Sequence, residues 1–227
     1  PKNLPNVSKY SKITYQIITK KSDKEKLVKN QYIKKLLHYS SIQYILIDNI
    51  LSSNFLEHSG KYFFLSALQT FSMKSAYDHD YIIFNYADFV WANGSLSNLT
   101  KYFNSSTDAV LTYCPFVIEE TALHNLKPYT NKEGIISIEP RNAVNWFFEN
   151  MHREQKLRFW NDEKFTITPT HIVWPVENEG AIVTAFHQTI LSLKINNDNI
   201  IYFNGILTVS LDGYFSGVVG KNMKVKH

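Results

Sequence analysis

Apolar and polar positions follow one another in blocks along this chain, and the blocks change period in a regular order. Residues 13–19, Ile-Thr-Tyr-Gln-Ile-Ile-Thr, read as a first strand, and Ser22-Asp23 behind them as the cap of a helix through about residue 38. Residues 42–47 make a second apolar strand that ends at Asp48, and residues 61–77 a second helix with apolar positions at 64, 65, 68 and 71. The stretch 81–91, Tyr-Ile-Ile-Phe-Asn-Tyr-Ala-Asp-Phe-Val-Trp, carries large β-favouring residues on both faces, which predicts a strand buried in a sheet that delivers Asp88 near its carboxyl end. Gly94-Ser95-Leu96 opens a short helix through Phe103, and residues 108–113 form a fourth strand that stops before Pro115.

The order βαβαβαβ predicts an α/β, Rossmann-type fold with a mostly parallel sheet flanked by helices. Beyond Pro115 the alternation fades. Glu139-Pro140 precedes an aromatic helix from Arg141 to about Phe159, and strand-like pieces follow at 165–168, 171–176, 181–186, 189–195 and 200–203. The C-terminal half is therefore expected to be α+β. No internal repeat or low-complexity linker separates the halves, so the expectation is a single domain over 1–227, divided if anywhere near residue 130.

Composition narrows the partners. A chain of 227 residues with 44% hydrophobic content can bury a full core. The net charge of +4 comes largely from lysines near the ends (Lys20, Lys21, Lys34, Lys35, Lys221, Lys224, Lys226), too mild an excess to predict nucleic acid binding. Cys114 is the sole cysteine, which excludes an intrachain disulfide and a Cys/His zinc cluster and suits a reducing compartment. No apolar run approaches the roughly 18–20 residues that span a bilayer, and no signal-peptide pattern opens the chain, so a soluble, cytoplasmic protein is expected. The Pro1 start is what a piece of a longer protein would show. Sequons at Asn6, Asn93, Asn98 and Asn104 are what chance supplies in a chain rich in Asn and Ser.

In an open parallel sheet, ligands bind outside the carboxyl ends of the strands, so Thr19, Asp48 and Asp88 are expected along one rim. Acids placed there either bond a ribose hydroxyl or base edge and hold a divalent cation against a diphosphate, or simply cap the following turns. Lys20-Lys21-Ser22-Asp23 after the first strand has no Gly-x-Gly-x-x-Gly, which argues against a dehydrogenase or methyltransferase. His171 and His187 flank the hairpin-like stretch Glu177-Asn178-Glu179-Gly180, so their imidazoles are candidates to converge as metal ligands or as a general base. Each is equally at home as a satisfied polar group in an aromatic-rich sheet. Glu119 and Glu120 offer either a base or an ordinary helix start. Of the aromatics, Trp146, Phe147, Phe148, Phe159 and Trp160 sit at spacings that suit helix packing, which leaves Trp91 and Trp174 as candidate platforms for a sugar or base. Asp212, in Leu-Asp-Gly-Tyr, is a turn former or a polar contact.

The run Phe84-Asn85-Tyr86-Ala87-Asp88-Phe89-Val90, with Gly94-Ser95-Leu96-Ser97-Asn98-Leu99 behind it, resembles the strand and turn of GT-A glycosyltransferases, in which an Asp-x-Asp holds the metal and the nucleotide-sugar diphosphate. Only the second Asp matches, and Tyr86 stands in place of the first. Over roughly residues 80–215 the chain is similar to a group of bacterial glycosyltransferase-like proteins associated with surface polysaccharide genes. The similarity is carried by Asn93-Gly94-Ser95, Val117-Ile118-Glu119-Glu120-Thr121, Met151-His152, Phe159-Trp160-Asn161, Thr170-His171-Ile172-Val173-Trp174, Gly180, Ala185-Phe186-His187 and Leu211-Asp212-Gly213-Tyr214-Phe215.

The resemblance implies a GT-A-like fold with a nucleotide-binding half at 1–130 and an acceptor-side half at 131–227. It implies transfer of a sugar from a nucleotide-sugar donor to a bacterial glycan or glycoconjugate, with Asp88, Glu120 and His187 catalytic. Thr19, Asp48, Trp91, Asn93, His171, Trp174 and Asp212 would contact substrate, and Asp88 and His187 would hold Mn²⁺ or Mg²⁺ if a metal is used. Such a protein works in the cytoplasm, and a peripheral association with the inner membrane face is compatible with it. The competing expectation is a catalytically silent nucleotide- or glycan-binding domain of the same fold, motivated by Tyr86.

Overall fold

The computed structural model describes residues 3–49, 61–166, 171–177, 179–185, 189–196 and 224–226. It is a mixed α/β protein of helices and small sheets. The chain divides into two compact units, one formed by Asn3–Ile82 with the chain from Leu193, the other by Ile83–Ser192 with the chain from Lys224.

In the first unit, a short helix Leu4–Val7 (α1) leads into the strand Thr14–Thr19 (β1). The helices Lys21–Lys29 (α2) and Gln31–Leu36 (α3) then return the chain to the strand Ser41–Leu46 (β2), which pairs parallel to β1 from Thr14↔Ser41 to Thr19↔Leu46. This is a β-α-β crossover, as the sequence predicted. The single helix expected through residue 38 is divided at Asn30, whose side-chain oxygen accepts the N–H groups of Tyr32 and Ile33 and so starts α3 afresh. One face of the strand pair is a polar ladder, Thr14 with Ser41 at 3.0 Å and Gln16 with Gln43 at 2.9 Å. Lys24 of α2 lies 5.3 Å above the Tyr44 ring, which brings the helix onto β2 through a cation–π contact.

The helix Lys61–Ser75 (α4) follows as expected. Its most buried described positions, with Ala76 just beyond its end, are Gln69, Ser72, Met73 and Ala76 at helical spacing. Two of the four are polar, so a count of apolar positions alone misses this face.

The strand predicted over 81–91 is short. Only Tyr81–Ile83 (β3) is strand, and all three residues are half-buried. The Phe84 N–H still donates to the Leu191 carbonyl, and beyond it the chain turns, with the Phe89 N–H bonded to the Tyr86 carbonyl at 3.1 Å. Asp88 therefore lies in a turn, five residues past the strand end. The helix Ser95–Leu99 (α5) and a 3₁₀ turn at Thr100–Tyr102 precede the strand Ala109–Thr112 (β4).

Next come the helices Glu119–Asn125 (α6) and Pro140–Glu149 (α7), which enclose a core of Ala122, Leu126, Ile138 and Trp146 with Val117, Tyr129 and Ala143 packed around it. Residue 130 lies within this region, bridged to Ile136. The aromatic helix expected to reach residue 159 stops at Asn150 and resumes as Arg153–Lys156 (α8). The break has a physical cause: Met151 is drawn into a bridge with Val117, and the His152 ring accepts the Glu154 N–H to start α8. The strands His171–Val176 (β5) and Gly180–Ala185 (β6) form the expected antiparallel hairpin, with His171 opposite Ala185.

The strand Thr189–Lys194 (β7) and a short strand Val225–Lys226 (β8) complete a four-stranded sheet in the order β3-β7-β4-β8. The bond from Phe84 to Leu191 and that from the Ile195 N–H to the Asp80 carbonyl make β3 and β7 antiparallel, whereas β4 and β8 run parallel. A mostly parallel sheet flanked by helices was expected; the described residues form three sheets, and only the β1–β2 and β4–β8 pairs are shown to be parallel. Local pattern set the strands, and pairing partners distant in sequence set their directions. The piece predicted at 165–168 is not strand where it is described, at 165–166, and the one at 200–203 lies outside the described residues.

Ile138 is fully buried, so Ile138→Ala is expected to destabilise the protein by about 2–5 kcal/mol. Leu123, on the exposed side of α6, should change stability by no more than about 0.5 kcal/mol when replaced by Ala. Urea unfolding of the two variants checks the assignment of the core.

Candidate functional site

Thr19 and Asp48 lie at the carboxyl ends of neighbouring parallel strands, where the sequence placed them. Asp48 sits in the 3₁₀ turn after β2, and its carboxylate accepts the Lys21 N–H at 2.7 Å. That N–H is one of those at the first turn of α2 with no partner inside the helix, so the acid caps it and is favoured by the helix dipole. The capping alternative for Asp48 is thus realised, though on the preceding helix and not on the turn that follows.

Asp88, Trp91, Asn93, Glu120, His171 and Trp174 belong to the second unit. Asp88 is exposed at the tip of the loop 85–91 and, among the described residues, has no hydrogen-bond or ion-pair partner. The loop beneath it is tied: the Trp91 indole N–H donates to the Asn85 side-chain oxygen at 2.9 Å, and the rings of Tyr86, Phe89 and Trp91 pack in sequence at 5.0 and 6.3 Å. Two aromatic contacts and one hydrogen bond hold a carboxylate in water on a closed turn. Tyr86, at the position where a metal carboxylate would complete the motif, is used in this packing.

Asn93 is buried. Its amide nitrogen donates to Ser137 Oγ at 3.0 Å and to Glu139 Oε1 at 2.7 Å, and its backbone N–H donates to the Ile138 carbonyl at 2.7 Å. These bonds commit its donors to holding the chain together. Glu119 and Glu120 are both exposed in the first turn of α6.

His171 faces inward, 4% exposed, beside two groups the sequence did not single out. Its Nε2 lies 3.0 Å from the Tyr113 hydroxyl and 2.9 Å from Gln155 Oε1, and Tyr113 also donates to that same oxygen. His171 Nε2 is thus engaged inside the cluster by both Tyr113 and Gln155. Gln155 is 1% exposed, and its Nε2 has no partner among the described residues, a cost of about 1–3 kcal/mol. Burial pushes the Tyr113 phenol up from its ordinary value of 10.0 to about 12, with the Arg158 guanidinium pulling it down and Cys114 adding to the rise. No periodic signal marks Tyr113 or Gln155, because their partners lie 42 and 58 residues from Tyr113 along the chain.

Trp174 is half-buried, and its ring lies 6.0 Å from that of Trp160. Trp160, expected in the core, is 59% exposed, because its backbone bonds the Val173 carbonyl and leaves the indole outside the hairpin. Trp146 is in the core as expected, and His152 caps the helix α8 through its ring. His187 and Asp212 lie outside the described residues. Among the described residues, no three His, Cys, Asp or Glu side chains gather as a metal site, and no helix is long and apolar enough to cross a membrane.

One further set of side chains converges. Arg141, Asn145 and Phe148 of α7 line a groove of about 300 Å³ together with Phe159 and the hairpin residues Pro175 and Glu179. Comparison with protein-family models, curated proteins and solved structures returned no match to this chain.

A neutral Tyr113 is what the cluster stabilises. Tyr113→Phe should cost about 1–3 kcal/mol near neutral pH, since it removes the hydroxyl's bond to the buried Gln155 oxygen and its contact with His171. Because the folded-state value is raised, that stabilisation is complete below about pH 10 and is lost as pH climbs towards about 12. The gap between wild type and Tyr113→Phe should therefore narrow across that window, as followed by urea midpoints. A gap that widens would contradict the assignment.

Proposed function

We propose that this chain is a GT-A-like glycosyltransferase that moves a sugar from a nucleotide-sugar donor to a bacterial glycan or glycoconjugate. The observation that carries the reading is the exposed, unpaired carboxylate of Asp88 on a tied aromatic loop, at the position its sequence motif reserves for the donor. In support stand the β1-α2-α3-β2 crossover and the placing of Thr19 and Asp48 at its carboxyl ends, the edge at which α/β sheets bind nucleotides.

In this reading Asp88 orients the donor's sugar or diphosphate; were a metal used, Asp88 and His187 would be the residues to hold Mn²⁺ or Mg²⁺, which would offset the diphosphate's charge. An acceptor hydroxyl oxygen attacks the anomeric carbon and the bond from that carbon to the diphosphate oxygen breaks. The hydroxyl proton passes to the exposed carboxylate of Glu120 in the first turn of α6, and the nucleoside diphosphate leaves. Trp91, Trp174 and Asp212 complete the substrate contacts that the resemblance implies, whereas His171, buried and bonded to Tyr113 and Gln155, supports the strand that carries Trp174. Asn93 acts as a positioning residue, through the segment 137–139. The reaction belongs on the cytoplasmic side, where nucleotide sugars are available.

Asp88→Asn should lower nucleotide release from a panel of nucleotide sugars by about 10²-fold or more while leaving the unfolding midpoint unchanged. Undiminished release would remove Asp88 from the mechanism. Tyr86 favours a second reading, a binding domain without turnover, since its ring is engaged with Phe89. Calorimetric titration with the same panel, with and without Mn²⁺, separates the two, because a binder gives heat and no free nucleotide.

A further inference from the structure

The groove on α7 contains neither Asp88 nor Glu120, and of the segments that carry the glycosyltransferase resemblance it includes only Phe159 and Gly180. Its residues come to one place for a structural reason: Arg141, Asn145 and Phe148 fall at spacings of four and three, so one helix face presents all of them. The Arg141 guanidinium donates to the Glu179 carbonyl at 2.7 Å, which fixes the turn of the β5–β6 hairpin against the start of the helix. Phe148 and Phe159 meet edge to face with centroids 6.2 Å apart, and Pro175 closes the apolar side.

The lining combines an apolar surface of two phenyl rings and a proline with a polar rim of Arg141, Asn145 and Glu179. Among the described residues, the Asn145 amide and the Glu179 carboxylate have no protein partner. An amide donates and accepts, whereas a carboxylate only accepts, so together they match a row of hydroxyl groups. Arg141 and Glu179 leave the rim without net charge, which removes the electrostatic gain an anionic nucleotide or phosphate would seek. The volume is that of a small binding site. A ligand with one face of C–H groups and an edge of neutral hydroxyls satisfies each of these conditions.

We infer that this groove binds a neutral pyranose ring, with its C–H face on Phe148, Phe159 and Pro175 and its hydroxyls on Asn145 and Glu179. That it is the acceptor glycan which docks there rests on the transferase reading; saccharide binding itself does not.

The test is titration of the full chain with methyl glucoside, methyl galactoside and the chitin tetramer, followed by calorimetry and by saturation-transfer NMR. Glucuronate and phenylalanine serve as charged and zwitterionic probes. At least one neutral glycoside should bind with a dissociation constant below about 10 mM. Asn145→Ala, an exposed change that leaves the core intact, should weaken that binding about tenfold, and Glu179→Gln should weaken it less. Absence of binding by every neutral probe would overturn the inference. So would binding unaffected by Asn145→Ala, or tighter binding of glucuronate or phenylalanine. The two readings fail separately: nucleotide release without saccharide binding removes the groove, and saccharide binding without nucleotide release removes the transferase.

Discussion

The loop that carries Asp88 and the helix that carries the groove both depend on one buried side chain, Asn93. Its amide bonds Ser137 and Glu139 while its backbone takes the Ile138 carbonyl, so a single residue clamps the segment that leads into α7. Ile138 between these partners is fully buried in the α6–α7 core. The polar clamp and the apolar core thus act on the same three residues. Loss of either would free the start of α7 and, with it, the register of Arg141 and Asn145. A buried amide with unmade bonds is costly, which is why such a clamp holds one arrangement and not several.

A second amide does the same at the other end of α7. Asn150 donates to the Trp146 carbonyl and accepts from Asn125, while its own carbonyl takes the Ile118 N–H. Helix α6, with Glu120 in its first turn, is therefore held to the end of α7 by polar contacts, and to its middle by the Trp146 indole bonded to the Ala122 carbonyl. The sequence presents these residues as ordinary asparagines. Their importance comes from burial, which no local pattern encodes.

What was legible follows from this distinction. The strands at β1, β2, β4, β5, β6 and β7 and the helix α4 were readable because each is specified by its own run of residues. The hairpin was readable from Glu177-Asn178-Glu179-Gly180, where Gly180 adopts a φ of 133° that other residues rarely take. The elements that were misjudged are those decided by distant partners. Residues 85–91 have the composition of a strand, yet the Trp91 indole finds Asn85 within the same loop and the chain closes on itself. The aromatic helix was cut at Asn150 because Met151 pairs with Val117, more than thirty residues earlier. Trp160 was assigned to a helix face that this break abolishes.

The candidate site divides along the same line. Asp48 and Asp88 were found by position in the strand-and-turn pattern, and both are exposed acids at turns. Their difference lies in their partners: Asp48 already serves α2, whereas Asp88 has no partner among the described residues. A carboxylate in water costs little to leave unpaired, so its exposure alone would say nothing. The weight comes from the aromatic packing under it, because ordering Tyr86, Phe89 and Trp91 around a surface turn costs side-chain entropy that a solvated loop of polar residues would not incur. That packing fixes the course of the turn on which Asp88 sits. The His171 cluster shows the opposite arrangement, in which a residue that looks chemical from the sequence is consumed by Tyr113 and Gln155. Function in this protein is accordingly sought where polar side chains lie at the surface without a partner among the described residues, as at Asp88 and along the Asn145–Glu179 rim, and not where they are buried and paired.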